Sequence, residues 1–140
     1  LGLRPSLRLT AGETAKVQAA LGRIGLADLA DVQPGAVSGG QQSRAALARV
    51  LLMARPWLVL AAPFAALVPA SRAEMLELLA EILDEAGAGL IMVTHAPADA
   101  RRIAPQTILV AEGKAHVPAR TADLLDNPPS ALRAYLGEAD

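Results

Sequence analysis

Apolar residues recur at helical spacing in three long segments, and each segment is predicted to be a helix with one buried face. The segments are residues 10–25, 38–54 and 71–87, and each begins with a Ser or Thr in a capping pattern. The predicted buried positions are Val17, Ala20, Leu21 and Ile24 in the first helix, Leu47, Val50, Leu51 and Ala54 in the second, and Met75, Leu78, Leu79, Ile82 and Leu83 in the third.

Shorter apolar runs predict strands at residues 57–60, 90–94 and 107–111. The run at 90–94 is nearly continuous in apolar residues, which is typical of a strand buried on both faces of a parallel sheet. Glu112, Gly113 and Lys114 predict a tight hairpin turn into residues 115–117. Short helices are predicted at residues 26–32, 97–104, 122–126 and 130–136. Strands that alternate with helices in this way predict an α/β fold.

Composition limits the classes of protein that the chain can represent. Its 140 residues are enough for one domain with a real core, and with 53% apolar but 2% aromatic residues that core must be aliphatic. A net charge of −1 gives no electrostatic argument for a nucleic-acid partner. The absence of cysteine excludes disulfides and thiolate metal sites and fits a reducing cytoplasm. Because the first residue is Leu, we expect the chain to be a piece of a longer reading frame or a trimmed product.

The segment Val37-Ser38-Gly39-Gly40-Gln41 carries the clearest functional pattern. Ser38 is placed to cap the second long helix, and Gln41 is placed to reach back to the cap. Gly39 and Gly40 leave the first turn without side chains, so its N–H groups and the positive end of the helix dipole could approach a phosphate. The alternative is an ordinary capped helix that comes after a glycine-containing turn.

The residues C-terminal to this loop give it a context. An apolar strand at 57–60 leads into Ala61-Ala62-Pro63-Phe64-Ala65-Ala66-Leu67, and a later strand ends in Thr94-His95. In this order and at these spacings the chain resembles the ATP-binding subunits of ABC transporters, with their signature loop, Walker B strand, D-loop and switch histidine. The resemblance implies a partial P-loop NTPase fold, with an incomplete, mostly parallel sheet flanked by helices. Residues 1–55 would be the helical subdomain and residues 56–140 the C-terminal part of the RecA-like core.

The same resemblance draws attention to groups that the sequence lacks. The family's phosphate cradle, Gly-x-x-x-x-Gly-Lys-Ser/Thr, does not occur in the chain. The strand that leads into this cradle in the family lies between those matching 90–94 and 107–111. We therefore expect the chain to be poorly stable, to be repacked so that these two strands meet, or to be completed by another chain.

The resemblance also assigns roles to single positions. The family uses ATP and Mg²⁺, and its Walker B aspartate and glutamate and its D-loop aspartate match Ala61, Ala62 and Val68, none of which can hold a metal-bound water or accept a proton. Hydrolysis by this chain alone is therefore not expected. His95 matches the switch histidine that touches the γ-phosphate; the alternative is a strand-end histidine without a role. His116 is predicted to be a surface residue, and no metal site is predicted.

Within the family the chain most resembles the ATPase subunits of thiamine importers. This likeness rests on Leu1-Gly2-Leu3, Pro5 and Leu9, on Arg72-Ala73-Glu74-Met75-Leu76, on Met92-Val93-Thr94-His95 and on Val110-Ala111-Glu112-Gly113. It implies a transmembrane permease and a second ATP-binding subunit as partners, a periplasmic substrate-binding protein as an indirect one, and a peripheral location on the cytoplasmic face of the inner membrane. In such a dimer Ser38, Gly39, Gly40 and Gln41 would complete the partner's ATP site. Two alternatives remain, a non-catalytic module that docks on a permease or partner ATPase, and a decayed fragment.

Overall fold

The chain packs as two units, Leu1–Val93 and Thr94–Asp140. The computed structural model describes residues 8–65 and 67–137. Leu1, Gly2, Leu3 and Pro5, on which part of the predicted resemblance rests, lie outside the described residues, as does Ala66 of the predicted D-loop. The predicted division at residues 55 and 56 remains a prediction. Among the described helices, none combines the length and the apolar composition that a bilayer span requires.

The first unit contains three long helices and one pair of strands, as the apolar pattern predicts. The helices are α1 (Ala11–Arg23), α2 (Gly39–Met53) and α3 (Pro69–Ala86), and the strands are β1 (Trp57–Ala61) and β2 (Gly89–Val93). The helix predicted at 26–32 is only a 3-10 turn, Ala27–Leu29, held by i to i+3 hydrogen bonds.

The ends of these helices follow local sequence signals, with one correction. Thr10 and Ser38 form the predicted capping boxes of α1 and α2, and Gly87 ends α3 in a left-handed conformation. The prediction that Ser71 caps α3 is wrong, because the N-cap is Val68. Pro69 occupies the first helical position, where its fixed φ suits a helix and its missing N–H is not needed, so the helix begins three residues earlier.

Aliphatic side chains from all three helices build the core of the first unit. Most of the predicted face of α3 is buried, whereas Leu78 and Leu83 are half-buried, and Leu76 is buried without having been predicted. On α2 the buried pair is Leu47 and Ala48, whereas Ala54 is exposed. The buried residues of this unit are Ala20, Ile24, Leu26, Leu47, Ala48, Phe64, Met75, Leu76, Leu79 and Ile82.

Strands β1 and β2 pair in parallel, with Leu58 opposite Leu90, and have one covered face. The prediction that residues 90–94 are buried on both faces is wrong. The alternate residues Trp57, Val59, Ile91 and Val93 are 63%, 69%, 54% and 57% exposed. In the described part of the chain, β2 pairs with β1 only. A continuous apolar run indicates what a strand can bury, but burial also requires an element on each side of the sheet.

The second unit consists of short elements. Helix α4 is Pro97–Ile103, and helices α5 (Thr121–Asp126) and α6 (Ser130–Leu136) lie where they are predicted. The strand predicted at 107–111 is divided: β3 (Gln106–Thr107) pairs with β6 (Ala119–Arg120), and β4 (Val110–Ala111) pairs with β5 (Lys114–Ala115). The predicted hairpin is confirmed, since Glu112 and Gly113 have φ values of 52° and 73°, as a type I′ turn requires. The predicted bounds are wrong, because Lys114 already belongs to β5, which ends at Ala115.

Candidate functional site

Reciprocal hydrogen bonds between Ser38 and Gln41 fix the predicted signature loop at the start of α2. The backbone N–H of Gln41 donates to Ser38 Oγ at 3.3 Å, and the N–H of Ser38 donates to Gln41 Oε1 at 2.7 Å. The side-chain amide nitrogen of Gln42, Nε2, donates to the carbonyl oxygens of Pro34 and Val37 at 3.2 and 3.4 Å. The turn before the helix is thereby fixed to the helix itself.

Gly39 and Gly40 are not required by the structure around them. Both have helical dihedral angles rather than a positive φ, and a Cβ built at either position meets nothing within 4 Å. Glycine in a helix costs about 1 kcal/mol relative to alanine, so two glycines weaken α2 without a gain in packing. What they provide is free access to their own first-turn N–H groups, which have no intrahelical partner and can bind an anion, whereas the N–H of Gln41 is used by the cap.

Arg44 connects this helix to α3. Its guanidinium donates to Glu74 Oε2 at 3.1 Å, and one of its nitrogens would lie 3.8 Å from a Cβ at Gly25. Arg44 is thus a paired charge, whereas Arg49 on the same helix is exposed. Because the ion pair is largely exposed, its contribution to the free energy of unfolding is small.

The positions that match the family's acids lie at the end of β1 and at the start of α3. Ala61 is the last residue of β1, and Ala62 is left-handed with a φ of 44° while its N–H donates to the carbonyl oxygen of Val93 at 2.8 Å. Val68 occupies the N-cap position of α3 without a side-chain capping hydrogen bond and is 65% exposed. In the loop between Ala62 and Val68, the guanidinium of Arg72 donates to the carbonyl oxygens of Ala65 and Leu67 at 3.1 and 3.3 Å.

The groups of the candidate site suit a phosphate better than a metal ion. Helix α2 presents free N–H donors, whereas Ala61, Ala62 and Val68 supply no oxygen ligand of the kind that Mg²⁺ prefers. Among residues 8–65 and 67–137, no three His, Cys, Asp or Glu side chains cluster closely enough to hold a metal ion.

His95 lies in the second unit, in the turn that comes after β2. Its side chain is exposed, and the hydroxyl of Tyr135 donates to its carbonyl oxygen at 2.5 Å. The Thr94 hydroxyl beside it donates to Asp99 Oδ2 and accepts from the N–H of Ala96, both at 3.0 Å. His116 is exposed, and its backbone N–H donates to the carbonyl oxygen of Leu109, which fits the predicted surface role. No sequence signal pointed to Tyr135, because its partner is 40 residues away.

An ion-pair cluster joins α1 to α3, away from the predicted site residues. Arg23 donates to Glu85 Oε1 at 2.6 Å and to Glu81 Oε2 at 3.0 Å. The hydrogen bond from Arg23 lowers the pKa of the Glu85 carboxyl, and the bonds to Glu85 and Glu81 raise the pKa of Arg23. Arg23 also lines two open hollows of about 420 and 300 Å³.

Known structures with the same architecture define the class of protein. The structure of an inward-facing metal-chelate type ABC transporter has a TM-score of 0.82 and 22% identity, over 96% of this chain and 53% of that one. The structure of cbiO1 from Clostridium perfringens, part of the ABC transporter complex cbiONQ, has a TM-score of 0.76 and 28% identity, over 87% of this chain and 49% of that one. The chain has the fold of part of an ABC ATPase, which confirms the predicted fold class.

The sequence comparison is more specific. The thiamine import ATP-binding protein ThiQ of Cereibacter sphaeroides is 61% identical over 98% of this chain and 59% of its own length. The chain is therefore a homologue of the thiamine import ATP-binding proteins of ABC transporters over nearly its whole length, as the resemblance predicted. It spans about three fifths of the curated relative that it matches. No family model matches the chain.

Proposed function

We propose that the chain is the signature-bearing portion of an ATP-binding subunit of an ABC importer, and that this importer carries thiamine. The name of its relative from C. sphaeroides supports the cargo. The observation that carries the proposal is the pair Gly39 and Gly40, which leave the helix start uncovered although neither backbone strain nor crowding requires glycine there. Glycine at these positions disfavours the helix by about 1 kcal/mol per residue. Its presence there is explained if the loop binds an anion that another molecule supplies.

In the proposed mechanism the loop completes an ATP site on a second ATP-binding subunit. The N–H groups of the first turn and the hydroxyl of Ser38 hold phosphate oxygens, and Gln41 keeps the turn in its capped form. The bond that is broken belongs to ATP, and the second subunit provides the phosphate cradle and the Mg²⁺ ion. A γ-phosphate contact is assigned to His95 separately from the role of this loop. With Ala61, Ala62 and Val68 at the acid positions, the chain does not hydrolyse ATP by itself.

The proposal includes the importer's other components. Residues 1–55 form the helical subdomain that docks on a transmembrane permease, and residues 56–140 form the C-terminal part of the RecA-like core. A periplasmic substrate-binding protein is an indirect partner, and the assembly holds the chain peripherally on the cytoplasmic face of the inner membrane. The cbiO1 structure supports a multi-subunit setting, because that protein is part of an ABC transporter complex.

The test is to combine the chain with an intact thiamine import ATP-binding subunit and its permease in liposomes. The parent chain should change the ATPase rate of the intact subunit, and Ser38→Arg should abolish this change because the side chain blocks the first turn. Ala46→Arg is the matched control, since it adds the same charge at an exposed position two turns along α2. Equal effects of the two variants, or none from the parent chain, would refute the proposal.

A non-catalytic docking module is the second candidate, and the loss of all three acids at Ala61, Ala62 and Val68 favours it. This candidate predicts that the chain binds the permease and that Ser38→Arg changes neither this binding nor the ATPase rate. Co-purification of the permease with each variant separates the two candidates.

A further inference from the structure

We propose that Tyr135 and Thr94 are positioning residues for His95. The inference deepens the proposed function, because a functional role for a fixed His95 rests on that proposal. The positioning itself depends only on hydrogen bonds within the second unit. Two contacts converge on the backbone next to His95, one from α6 and one from the residue before it.

Thr94 holds the turn on one side. Its hydroxyl accepts from the N–H of Ala96 and donates to Asp99 Oδ2 in the first turn of α4, and both bonds are part-buried at 3.0 Å. One side chain therefore fixes the peptide C-terminal to His95 and connects it to the start of α4. A turn in which a Thr hydroxyl binds the N–H two residues later is a recognised local motif.

Tyr135 binds the other end of the same peptide group, the carbonyl oxygen of His95. Its hydroxyl donates to the His95 carbonyl oxygen at 2.5 Å, whereas the buried residue of α6 is Leu132 and the Tyr135 residue is 60% exposed. The ring thus contributes little to the core, and the directed contact is the hydrogen bond. Tyr135 is also the single tyrosine of the chain, so its hydroxyl can be removed without affecting another one.

Together these bonds fix the backbone of His95 and leave its imidazole exposed. The carbonyl oxygen of His95 and the N–H of Ala96 belong to the same peptide group, which is hydrogen-bonded at both ends, and this restricts the ψ angle of His95. A group that must meet a phosphate within hydrogen-bond distance benefits when neighbouring residues hold its backbone. Neither Tyr135 nor Thr94 need touch a nucleotide for this role.

The test uses Tyr135→Phe in the full 140-residue chain, with nuclear magnetic resonance as the readout. With two histidines, His116 serves as an internal reference for the imidazole signals. We expect the His95 imidazole signal to move and the amide of Ala96 to exchange about twofold to fivefold faster, as loss of a weak hydrogen bond allows. The His116 signal should not move. Unchanged His95 and Ala96 signals in a folded Tyr135→Phe chain would overturn the inference.

A second pair of variants tests the Thr94 side and provides a result if Tyr135→Phe does not fold. Thr94→Val removes the hydroxyl at nearly constant shape, and Thr94→Ser restores it. We expect Val to release the Ala96 amide and to move the His95 signal, and Ser to return both. If Val and Ser behave alike, Thr94 has no positioning role.

The two proposals fail in different ways. If Tyr135→Phe moves the His95 signal but the liposome ATPase rate stays at the parent value, the positioning is correct and the assigned γ-phosphate contact of His95 is wrong. If the positioning supports that contact, Tyr135→Phe should lower the maximal ATPase rate that the mixed assembly reaches and leave its KM for ATP within about twofold.

Discussion

The indole of Trp57 lies over Gly89, its register partner across the parallel pair of β1 and β2. A Cβ at Gly89 would overlap the ring carbon Cζ3 of Trp57, closer than two non-bonded carbon atoms can approach. Glycine at the start of β2 is therefore a packing requirement, unlike glycine at 39 and 40.

Gly89→Ala should displace the Trp57 indole into solvent. Because Trp57 is the single tryptophan, its fluorescence emission should move to longer wavelength, and the free energy of unfolding should fall by about 1 kcal/mol, the low end for overpacking since the ring can move outward. Gly12→Ala, where a Cβ meets nothing within 4 Å, is the control and should leave the emission unchanged. Unchanged emission in Gly89→Ala would contradict the observed ring position.

The exposed face of β1 and β2 should bind apolar dyes. Replacing Val59 and Ile91 by Thr removes apolar surface while it keeps β-branched residues, so dye fluorescence should fall and the free energy of unfolding should change by less than about 0.5 kcal/mol. Leu60→Thr on the half-buried face is the control. It should lower the free energy of unfolding by about 1 kcal/mol and leave dye binding high. If Leu60→Thr lowered dye binding and the Val59 and Ile91 replacements lowered the free energy of unfolding by about 1 kcal/mol, the covered face would be misidentified.

Ala54→Gly should stabilise the first unit. Ala54 ends α2 with a left-handed φ of 43°, a conformation that costs a residue with a Cβ about 1 kcal/mol. We expect a gain of about 0.5 kcal/mol after the entropy cost of glycine, measured by thermal or urea unfolding. Ala46→Gly, in the interior of the same helix, should have the opposite sign. A loss of stability in both variants would exclude a left-handed Ala54.

The Arg23–Glu85 contact should make stability depend on pH in the acid range. The hydrogen bond from Arg23 lowers the pKa of Glu85 from its ordinary value of 4.5, so the folded chain binds fewer protons there than the unfolded chain. The contribution is complete above about pH 4.5 and is lost as the pH falls through the lowered pKa. In acid titrations Glu85→Gln should therefore flatten this part of the curve.

Asp84→Asn is the matched control for Glu85→Gln, since Asp84 is the exposed neighbour on α3 and loses the same charge. This variant keeps the Arg23–Glu85 contact, so the pH dependence that this contact causes should remain. In 1 M salt the difference between parent and Glu85→Gln should shrink, because an exposed ion pair is screened. A difference that persists undiminished in high salt would argue against an electrostatic origin.

Local signals in the sequence predicted the features that depend on neighbouring residues. The Ser38 and Thr10 capping boxes and the Glu112-Gly113 hairpin each depend on a few consecutive residues, and all three are confirmed. The start of α3 was misplaced for the same local reason, since Ser71 resembles a cap but Pro69 lies upstream of it. The homology to ABC ATP-binding proteins was also predictable from residue order alone.

Features that depend on distant residues were not predictable in this way. The apolar run of β2 indicated two buried faces, yet Ile91 and Val93 are exposed because coverage depends on other elements. The bond from Tyr135 to His95 joins residues 40 positions apart, and no periodicity indicates it. The roles of Ser38, Gly39, Gly40, Gln41 and His95 stay predictions, because they concern a nucleotide and a second subunit.

The cap of α2 also determines how many hydrogen bonds the Ser38 hydroxyl can still make. A serine hydroxyl has one O–H donor and two acceptor lone pairs, and the capping contact from the Gln41 N–H uses one lone pair. The O–H itself takes no part in that contact and can rotate toward a phosphate oxygen. An arriving anion therefore does not compete with the cap, and the helix need not fray at its first turn to accept a ligand.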